Sequence, residues 1–185
     1  MKTKMVNFFN DYEKEENWLN SMAAKGWHLT HTDSPSYTFE EGLPGEYIYR
    51  TALLDHMPNH PDTIDYIRLM EETGAEHVGS IWRWAYFRKK ASDGEFEIYT
   101  DIESRINHYK RVERLLFWYV VPNFISLVLQ LPIAGLVFAF GHTAILPLNA
   151  FVASANIAAL CITFAPWKKF SEKAKELERE REVYE

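Results

Sequence analysis

Charged residues are missing from most of the second half of this chain. The 53 residues from Leu115 to Trp167 contain no Asp, Glu, Lys or Arg. This run is too long for a single buried helix of a soluble protein. It has the length of two membrane-spanning helices of about 20 residues each with a short connection. This absence argues against an ordinary soluble protein and predicts a transmembrane hairpin.

Signatures of chemistry are also scarce. The only cysteine, Cys161, lies inside the apolar run, so no disulfide can form within one chain. The sequence contains no Gly-rich phosphate loop, no dinucleotide fingerprint and no Gly-x-Ser-x-Gly nucleophile motif. We therefore expect a protein that is not an enzyme, with no catalytic residues and no cofactor.

The charges that are present are unevenly distributed. Residues 1–100 contain 10 Lys or Arg and 17 Asp or Glu, a net charge of −7, whereas residues 101–114 have a net charge of +1. A nucleic-acid interface needs a basic face, so no nucleic-acid partner is expected for the acidic region. Its N-terminus lacks the apolar run of a signal peptide, and residues 1–100 are therefore expected to stay in the cytoplasm.

These patterns divide the chain into four segments. We predict a cytoplasmic α+β domain at 1–100, a basic juxtamembrane helix at 101–114, a two-helix transmembrane hairpin at 115–166 and a charged tail helix at 167–185. The tail is expected to be solvated, with a short coiled coil as the alternative. Lys and Arg flank both outer ends of the hairpin but are absent from its connection at Gly141-His142, which predicts that both termini are cytoplasmic.

Apolar periodicity and turn residues predict the elements of the first domain. The expected helices and strands are, in chain order, a strand at Met5–Phe9, a helix at Glu13–Lys25, strands at Trp27–Thr32, Ser36–Glu40 and Glu46–Leu54, a helix at Asp62–Glu72 and strands at Val78–Lys89 and Glu95–Thr100. This order, with one extra strand, is that of the ferredoxin-like split βαβ fold, an antiparallel sheet with two helices on one face. Glu13, Glu15 and Glu16 are expected to form a solvated helix start.

Polar and small residues interrupt the two predicted spans, near Leu115–Phe140 and Thr143–Pro166. The polar residues recur at a spacing of seven and comprise Asn123, Gln130, Asn149 and Asn156. At about 1.5 Å per residue, an antiparallel pairing brings Asn123 to the depth of Asn156 and Gln130 to that of Asn149. A row of small residues consists of Ala150, Ser154 and Ala158. Both features predict helix packing, within one hairpin or between copies, and the alternative for the amides is a polar ligand site.

Aromatic residues alternate along the predicted strands. The set comprises Tyr47, Tyr49, Trp82, Trp84 and Tyr86. Alternate residues of a strand share one face of the sheet, so each strand places its aromatic rings on one side. Two interpretations remain open, a core face packed against the helices and an exposed aromatic face that binds a ligand or partner.

Two histidines and a carboxylate lie close together in one predicted loop. His56, His60 and Asp62 are potential metal ligands by residue type. Pro58 and Pro61 rule out the helical i, i+4 arrangement of the two histidines, and no cysteine or third histidine is nearby. The sequence therefore predicts no metal site.

One part of the chain resembles a known family. The stretch Phe8–Leu29, including Trp18-Leu-Asn-Ser-Met22 and Gly26-Trp27, resembles a bacterial family known only as domain of unknown function 2812. Gly45-Glu-Tyr47-Ile-Tyr49-Arg50 and Trp84-Ala-Tyr-Phe87-Arg88 are similar to later motifs of that family, over residues 5–110. The resemblance implies C-terminal membrane spans and a membrane-tethered role in a regulatory or stress response. It implies no catalytic residues.

The resulting expectation is a two-pass, non-enzymatic protein of the bacterial cytoplasmic membrane. Its cytoplasmic domain is expected to bind a protein or small molecule, with the lipid membrane and a regulator or another membrane protein as partners. The alternative is an accessory subunit of a membrane transporter or envelope assembly that uses the hairpin for helix packing. A homo-oligomer formed through the hairpin is also left open.

Overall fold

The computed structural model describes residues 1–33, 35–140 and 145–184. The chain divides into two compact units, residues 1–100 and 101–185. The first unit contains both helices and strands, and the second is helical. The predicted connection at Gly141-His142 and the predicted start of the second span at Thr143 lie outside the described residues.

The first unit contains two copies of the same βαββ arrangement. Its elements are β1 (Lys2–Val6), α1 (Tyr12–Ala23), β2 (Trp27–Asp33) and β3 (Ser36–Glu41), followed by β4 (Tyr47–Leu53), α2 (Pro61–Glu72), β5 (Glu76–Ile81) and β6 (Trp84–Lys90). Each copy forms a three-stranded antiparallel sheet, in the orders β1-β3-β2 and β4-β6-β5. Both helices have 12 residues, and equivalent positions of the two helices are 49 residues apart, since the helices begin at residues 12 and 61. The unit is therefore a tandem structural repeat.

The ferredoxin-like prediction is wrong, because the strands form two small sheets rather than one. The predicted strand Val78–Lys89 is in fact a hairpin, in which β5 and β6 are joined at Trp82-Arg83 and Ile81 pairs with Trp84. Neither residue of this turn is Gly, Pro, Asn or Asp, so the usual turn signal is missing. The predicted strand at Glu95–Thr100 is also wrong, since no strand is present there.

Two hydrophobic clusters lie on opposite faces of the β4-β6-β5 sheet. The first contains Leu19 of α1, Phe39 of β3 and Tyr86 of β6. The second contains Met70 of α2 and Phe87 of β6. Because Tyr86 and Phe87 are neighbours in one strand, their side chains point to opposite sides of the sheet. The second sheet is thus covered on both faces.

The second unit consists of two long helices that pack against each other. They are α3 (Ile102–Ala139) and α4 (Leu146–Tyr184), of 38 and 39 residues. At 1.5 Å per residue each is about 57 Å long, more than the roughly 30 Å hydrocarbon core of a bilayer. In the most apolar 18-residue window of each helix, only 17% of α3 and 0% of α4 is buried. Helices in the core of a soluble protein are mostly buried, so this exposure fits helices that face lipid.

The charged tail is a continuous part of α4 and is packed, so the prediction of a solvated helix is wrong. Phe170, Ala174 and Leu177 are buried. Arg181 forms an ion pair with Glu103 of α3 at 2.9 Å, and Lys110 of α3 pairs with Glu178 of α4. The two helices therefore remain associated along their charged ends.

Candidate functional site

Polar side chains of α1 cover the open edge of the second sheet. β4 is an edge strand, and its unpaired backbone groups are satisfied by Asn20, whose Oδ1 accepts from Tyr49 N at 2.8 Å and whose Nδ2 donates to Tyr49 O at 3.0 Å. Two residues along the strand, Thr51 N donates to Glu16 Oε2 at 2.8 Å. These side chains take the place of a neighbouring strand and protect an edge that would otherwise be available for pairing with another chain.

A partly buried carboxylate connects the two sheets. Glu15 Oε1 accepts hydrogen bonds from the hydroxyl groups of Tyr37 in β3 and Tyr86 in β6, both at 2.7 Å. Burial raises the pKa of Glu15 above its usual value, while the two tyrosine hydrogen bonds lower it. Burial also raises the pKa of Glu16. The prediction that these two residues form a solvated helix start is therefore wrong, and their role in the fold is structural.

Most of the predicted aromatic face belongs to the core. Tyr49 and Tyr86 are buried, with 1% and 3% of their surface exposed, and Tyr47 and Trp84 pack partly buried against the same cluster. Trp82 is different, because it lies in the β5–β6 turn rather than on a strand and is 46% exposed. Of the five predicted residues, Trp82 is therefore the one that is available to a partner.

The backbone at Trp82 is strained. Its φ of 53° lies in the left-handed region, and Trp82 is the only residue other than glycine with a positive φ among the described residues. Such a conformation costs about 1–2 kcal/mol for a residue with a Cβ atom, and glycine or asparagine normally occupies this position of a two-residue turn. The turn is held by two hydrogen bonds, from Leu54 N to Arg83 O at 2.7 Å and from Arg83 Nε to Leu54 O at 2.9 Å.

The loop that follows Leu54 brings His56, His60 and Asp62 together, contrary to the sequence argument. Asp62 Oδ2 lies 3.7 Å from His56 Nε2 and 3.6 Å from His60 Nδ1. The two imidazole rings stack with centroids 4.0 Å apart, and one ligand atom from each of the three side chains lies within 4.8 Å of the others. Because Leu54 is bonded to Arg83, this cluster and the Trp82 turn occupy the same end of the second sheet.

A match to a known family covers these features. Residues 11–121 match the profile of a family described as protein of unknown function (DUF2812). The chain belongs to this family. No curated protein and no solved structure matches it. The resemblance inferred from Phe8–Leu29 is confirmed. The DUF2812 region includes the hydrogen bonds made by Glu15, Glu16 and Asn20, which form the α1 network, together with the Trp82 turn and the cluster of His56, His60 and Asp62.

The predicted polar seam of the hairpin lies beyond the DUF2812 match and is centred on a residue that the sequence argument missed. Ser126 Oγ of α3 accepts from Asn156 Nδ2 of α4 at 2.9 Å and from Gln130 Nε2 at 3.4 Å. Asn123 donates instead to Tyr119 O within its own helix, at 2.6 Å, and Asn149 is partly buried. One interhelical layer thus forms around Ser126, whose short hydroxyl side chain is not distinctive in a sequence.

The row of small residues does not lie against α3. Ala150, Ser154 and Ala158 are all exposed, and Ser154 Oγ donates to Phe151 O of the same helix at 2.8 Å. The row therefore forms an open strip along α4 that a further helix can approach closely.

Proposed function

We propose that this protein is a membrane-anchored, non-enzymatic binding protein, and that the domain at residues 1–100 recognises a protein or small-molecule partner. The recognition surface is the end of the second sheet formed by the Trp82 turn and the loop after Leu54. In this proposal the DUF2812 region carries recognition, and the two helices keep it at the membrane.

The exposed, strained Trp82 carries the proposal. The exposed Trp82 ring does not gain the hydrophobic stabilisation that burial would give it. The positive φ of Trp82 adds backbone strain that glycine at this position would avoid. Strain of this kind persists when the surrounding structure enforces it, and it clusters at binding and active sites. Exposed tryptophan is also the side chain that most often anchors a protein interface.

The membrane location is supported by the helices and by the charges beside them. Both α3 and α4 are long enough to cross a bilayer, and their apolar surfaces are exposed. Lys and Arg flank the outer ends of the apolar run, which supports the bacterial cytoplasmic membrane with both termini inside. In a Cys161→Ala background, a Glu182→Cys variant should react with an impermeant thiol reagent only after the cells are permeabilised. Labelling of intact cells would contradict this orientation.

Site-specific photo-crosslinking in native membranes tests the recognition surface. A photoreactive phenylalanine analogue is placed at position 82 and, as a matched control, at position 8, where Phe8 is 69% exposed. We expect a discrete adduct from position 82 that co-expressed wild-type chain competes away and the Trp82→Ala chain does not. Equal adducts from both positions, or none from position 82, would contradict the proposal.

The open strip on α4 favours a second function, that of an accessory subunit of a transporter or envelope assembly. In that case Ala150, Ser154 and Ala158 contact another membrane helix. Replacing all three with Leu should abolish co-purification of that partner, whereas the photo-crosslink at position 82 should be unaffected. If the captured partner is a second copy of this chain, the strip is a homo-oligomer interface.

A further inference from the structure

We propose that His56, His60 and Asp62 form a binding site for a divalent transition-metal ion, and that Zn²⁺ is the ion they fit best. Nothing in the membership of DUF2812 assigns a metal to the chain. The inference does not depend on partner recognition at Trp82.

The fold holds the three ligands on a short, constrained segment. The segment is fixed at its start by the hydrogen bond from Leu54 N to Arg83 O. It is tightened by the bond from His60 N to Met57 O at 3.0 Å, and Pro61 then begins α2. His60 is also the N-cap of α2, with Nδ1 accepting from Asp62 N at 3.3 Å. These bonds hold His60 and Asp62 on the same side of the first turn. An ion bound to His60 Nδ1 replaces the hydrogen bond from Asp62 N, because this imidazole nitrogen has a single lone pair.

The distances are close to those of a coordinated metal. Zn²⁺ binds imidazole nitrogen and carboxylate oxygen at about 2.0–2.1 Å, which separates tetrahedral ligand atoms by about 3.4 Å. Asp62 Oδ2 lies 3.7 Å and 3.6 Å from the two histidine nitrogens. All three ligand atoms lie within 4.8 Å of one another. The two stacked imidazole rings must turn until both lone pairs point at one ion, and the three side chains then fill three of the four tetrahedral positions. The fourth position faces solvent, because the side chains of His56, His60 and Asp62 are 50%, 42% and 75% exposed, and a water molecule can fill it.

The ligand chemistry selects the class of ion. Imidazole with carboxylate favours Zn²⁺, Cu²⁺ or Ni²⁺ over Ca²⁺ and Mg²⁺, which prefer all-oxygen sites. Among these ions, Zn²⁺ has no geometric preference from its d electrons and readily accepts three protein ligands with one open position. Without a metal, the cluster offers only solvent-exposed histidine–carboxylate contacts, which contribute little to stability.

A metal titration of the full chain in detergent micelles, purified without a polyhistidine tag, tests the site. Zn²⁺ is titrated in competition with a chromophoric chelator, against the variants His56→Asn, His60→Asn and Asp62→Asn. Asparagine at position 60 keeps a side-chain acceptor for the helix N-cap, so α2 should retain its start. The matched controls are His31→Asn, on an exposed histidine of β2, and Asp65→Asn, on an exposed carboxylate of α2.

We expect one Zn²⁺ per wild-type chain. Loss of a residue that only hydrogen-bonds to a metal ligand weakens metal affinity about 10–100-fold. Each site variant loses a ligand itself, so it should bind Zn²⁺ at least about tenfold more weakly. The two controls should bind as the wild type does. Co²⁺ bound to the wild type should show the visible absorption of a four-coordinate site, and both histidine variants should lose it.

The proposal is overturned if the wild type binds no stoichiometric Zn²⁺, or if the controls weaken binding as much as the site variants. Circular dichroism of each variant without metal identifies any that have failed to fold. Because the titration contains no partner, its failure would leave the crosslinking test of Trp82 unaffected.

Discussion

The two βαββ repeats share one architecture but use it differently. In the first repeat, α1 places Glu15, Glu16 and Asn20 against the strands, where all three accept hydrogen bonds from other elements. In the second repeat, the equivalent positions, 49 residues later, are Ile64, Asp65 and Leu69, and all three are exposed. The first helix therefore joins the two sheets, whereas the second covers only its own sheet.

The same contrast appears at the helix starts. α1 is capped by Asp11, whose carboxylate is buried with 4% of its surface exposed and accepts from Glu13 N at 3.0 Å. α2 is capped by His60, beside the exposed His56 and Asp62 and at the same end of the sheet as the strained Trp82 turn. The polar side chains of α1 in the first repeat stabilise the fold. The exposed groups of the second repeat have no such structural role and can serve as a binding surface. The predictions for Asn20, Trp82 and Glu15 test that division.

The largest expected effect is on α1. Asn20→Ala removes both hydrogen bonds to Tyr49 and leaves two partly buried backbone groups of β4 without a partner, which should lower the free energy of unfolding by about 2–4 kcal/mol. The matched change in the second repeat, Leu69→Ala, trims a side chain that is 58% exposed and should cost less than about 0.5 kcal/mol. Urea titration of the full chain in micelles, followed by tryptophan fluorescence, measures both. Similar losses in the two variants would remove the distinction between the helices.

The turn at Trp82 should show the opposite sign. Trp82→Gly relieves a positive φ and should raise the free energy of unfolding by about 1 kcal/mol, Trp82→Asn should raise it less, and Trp82→Val should lower it. The same urea titration gives the order of the three variants. If the turn serves recognition, the more stable glycine variant should nonetheless fail to compete in the crosslinking assay. A glycine variant less stable than the wild type would instead make the ring a packing residue.

The site and the fold were hardest to predict at the same places. The sequence predicts one strand where the structure has the β5–β6 hairpin, because Trp82-Arg83 has none of the residues that normally signal a turn. The turn is made instead by a tryptophan with a positive φ, which composition does not indicate. That error also hid the tandem repeat, since only two separate strands make the second copy equivalent to the first. The sequence brings His56, His60 and Asp62 to attention by residue type, but spacing rules describe helices and strands and do not show that the three side chains meet in space.

What could be predicted depended on periodicity. Both 12-residue helices were located within two residues of their observed bounds, since apolar spacing and the glycines at Gly26 and Gly74 mark them. The apolar run was identified as two long helices from the absence of charge alone. The prediction for Glu15 and Glu16 is wrong because a charged residue near the start of a helix usually faces water. Only the three-dimensional structure places Tyr37 and Tyr86 beside Glu15, and Thr51 beside Glu16.

A third prediction concerns the charge of the α1 network. Since burial raises the pKa of Glu15 above 4.5, the folded state retains a proton that the unfolded state has lost. The corresponding stability is fully present below pH 4.5 and is lost as the pH rises through the folded pKa, at no more than about 1.4 kcal/mol per pH unit. Glu15→Gln should flatten this slope, whereas Glu72→Gln, on an exposed residue of α2, should not. Urea midpoints measured from pH 4 to pH 8 compare the three proteins.

The smallest expected effect lies in the hairpin. Its polar contact joins two uncharged side chains, Ser126 and Asn156, and both lie outside the two repeats. Ser126→Ala removes the acceptor of the Asn156 hydrogen bond. Hydrogen bonds between transmembrane helices contribute about 0.6 kcal/mol on average, because the unfolded chain in lipid also finds partners for its polar groups. Ser154→Ala is the matched control, since its hydroxyl bonds only to Phe151 O within α4. A double-mutant cycle with Asn156→Ala, measured as unfolding in mixed micelles, should return a coupling of that size between positions 126 and 156 and none between 154 and 156. A coupling as large as the loss expected for Asn20→Ala would mean that the hairpin, and not only α1, depends on a polar network for its fold.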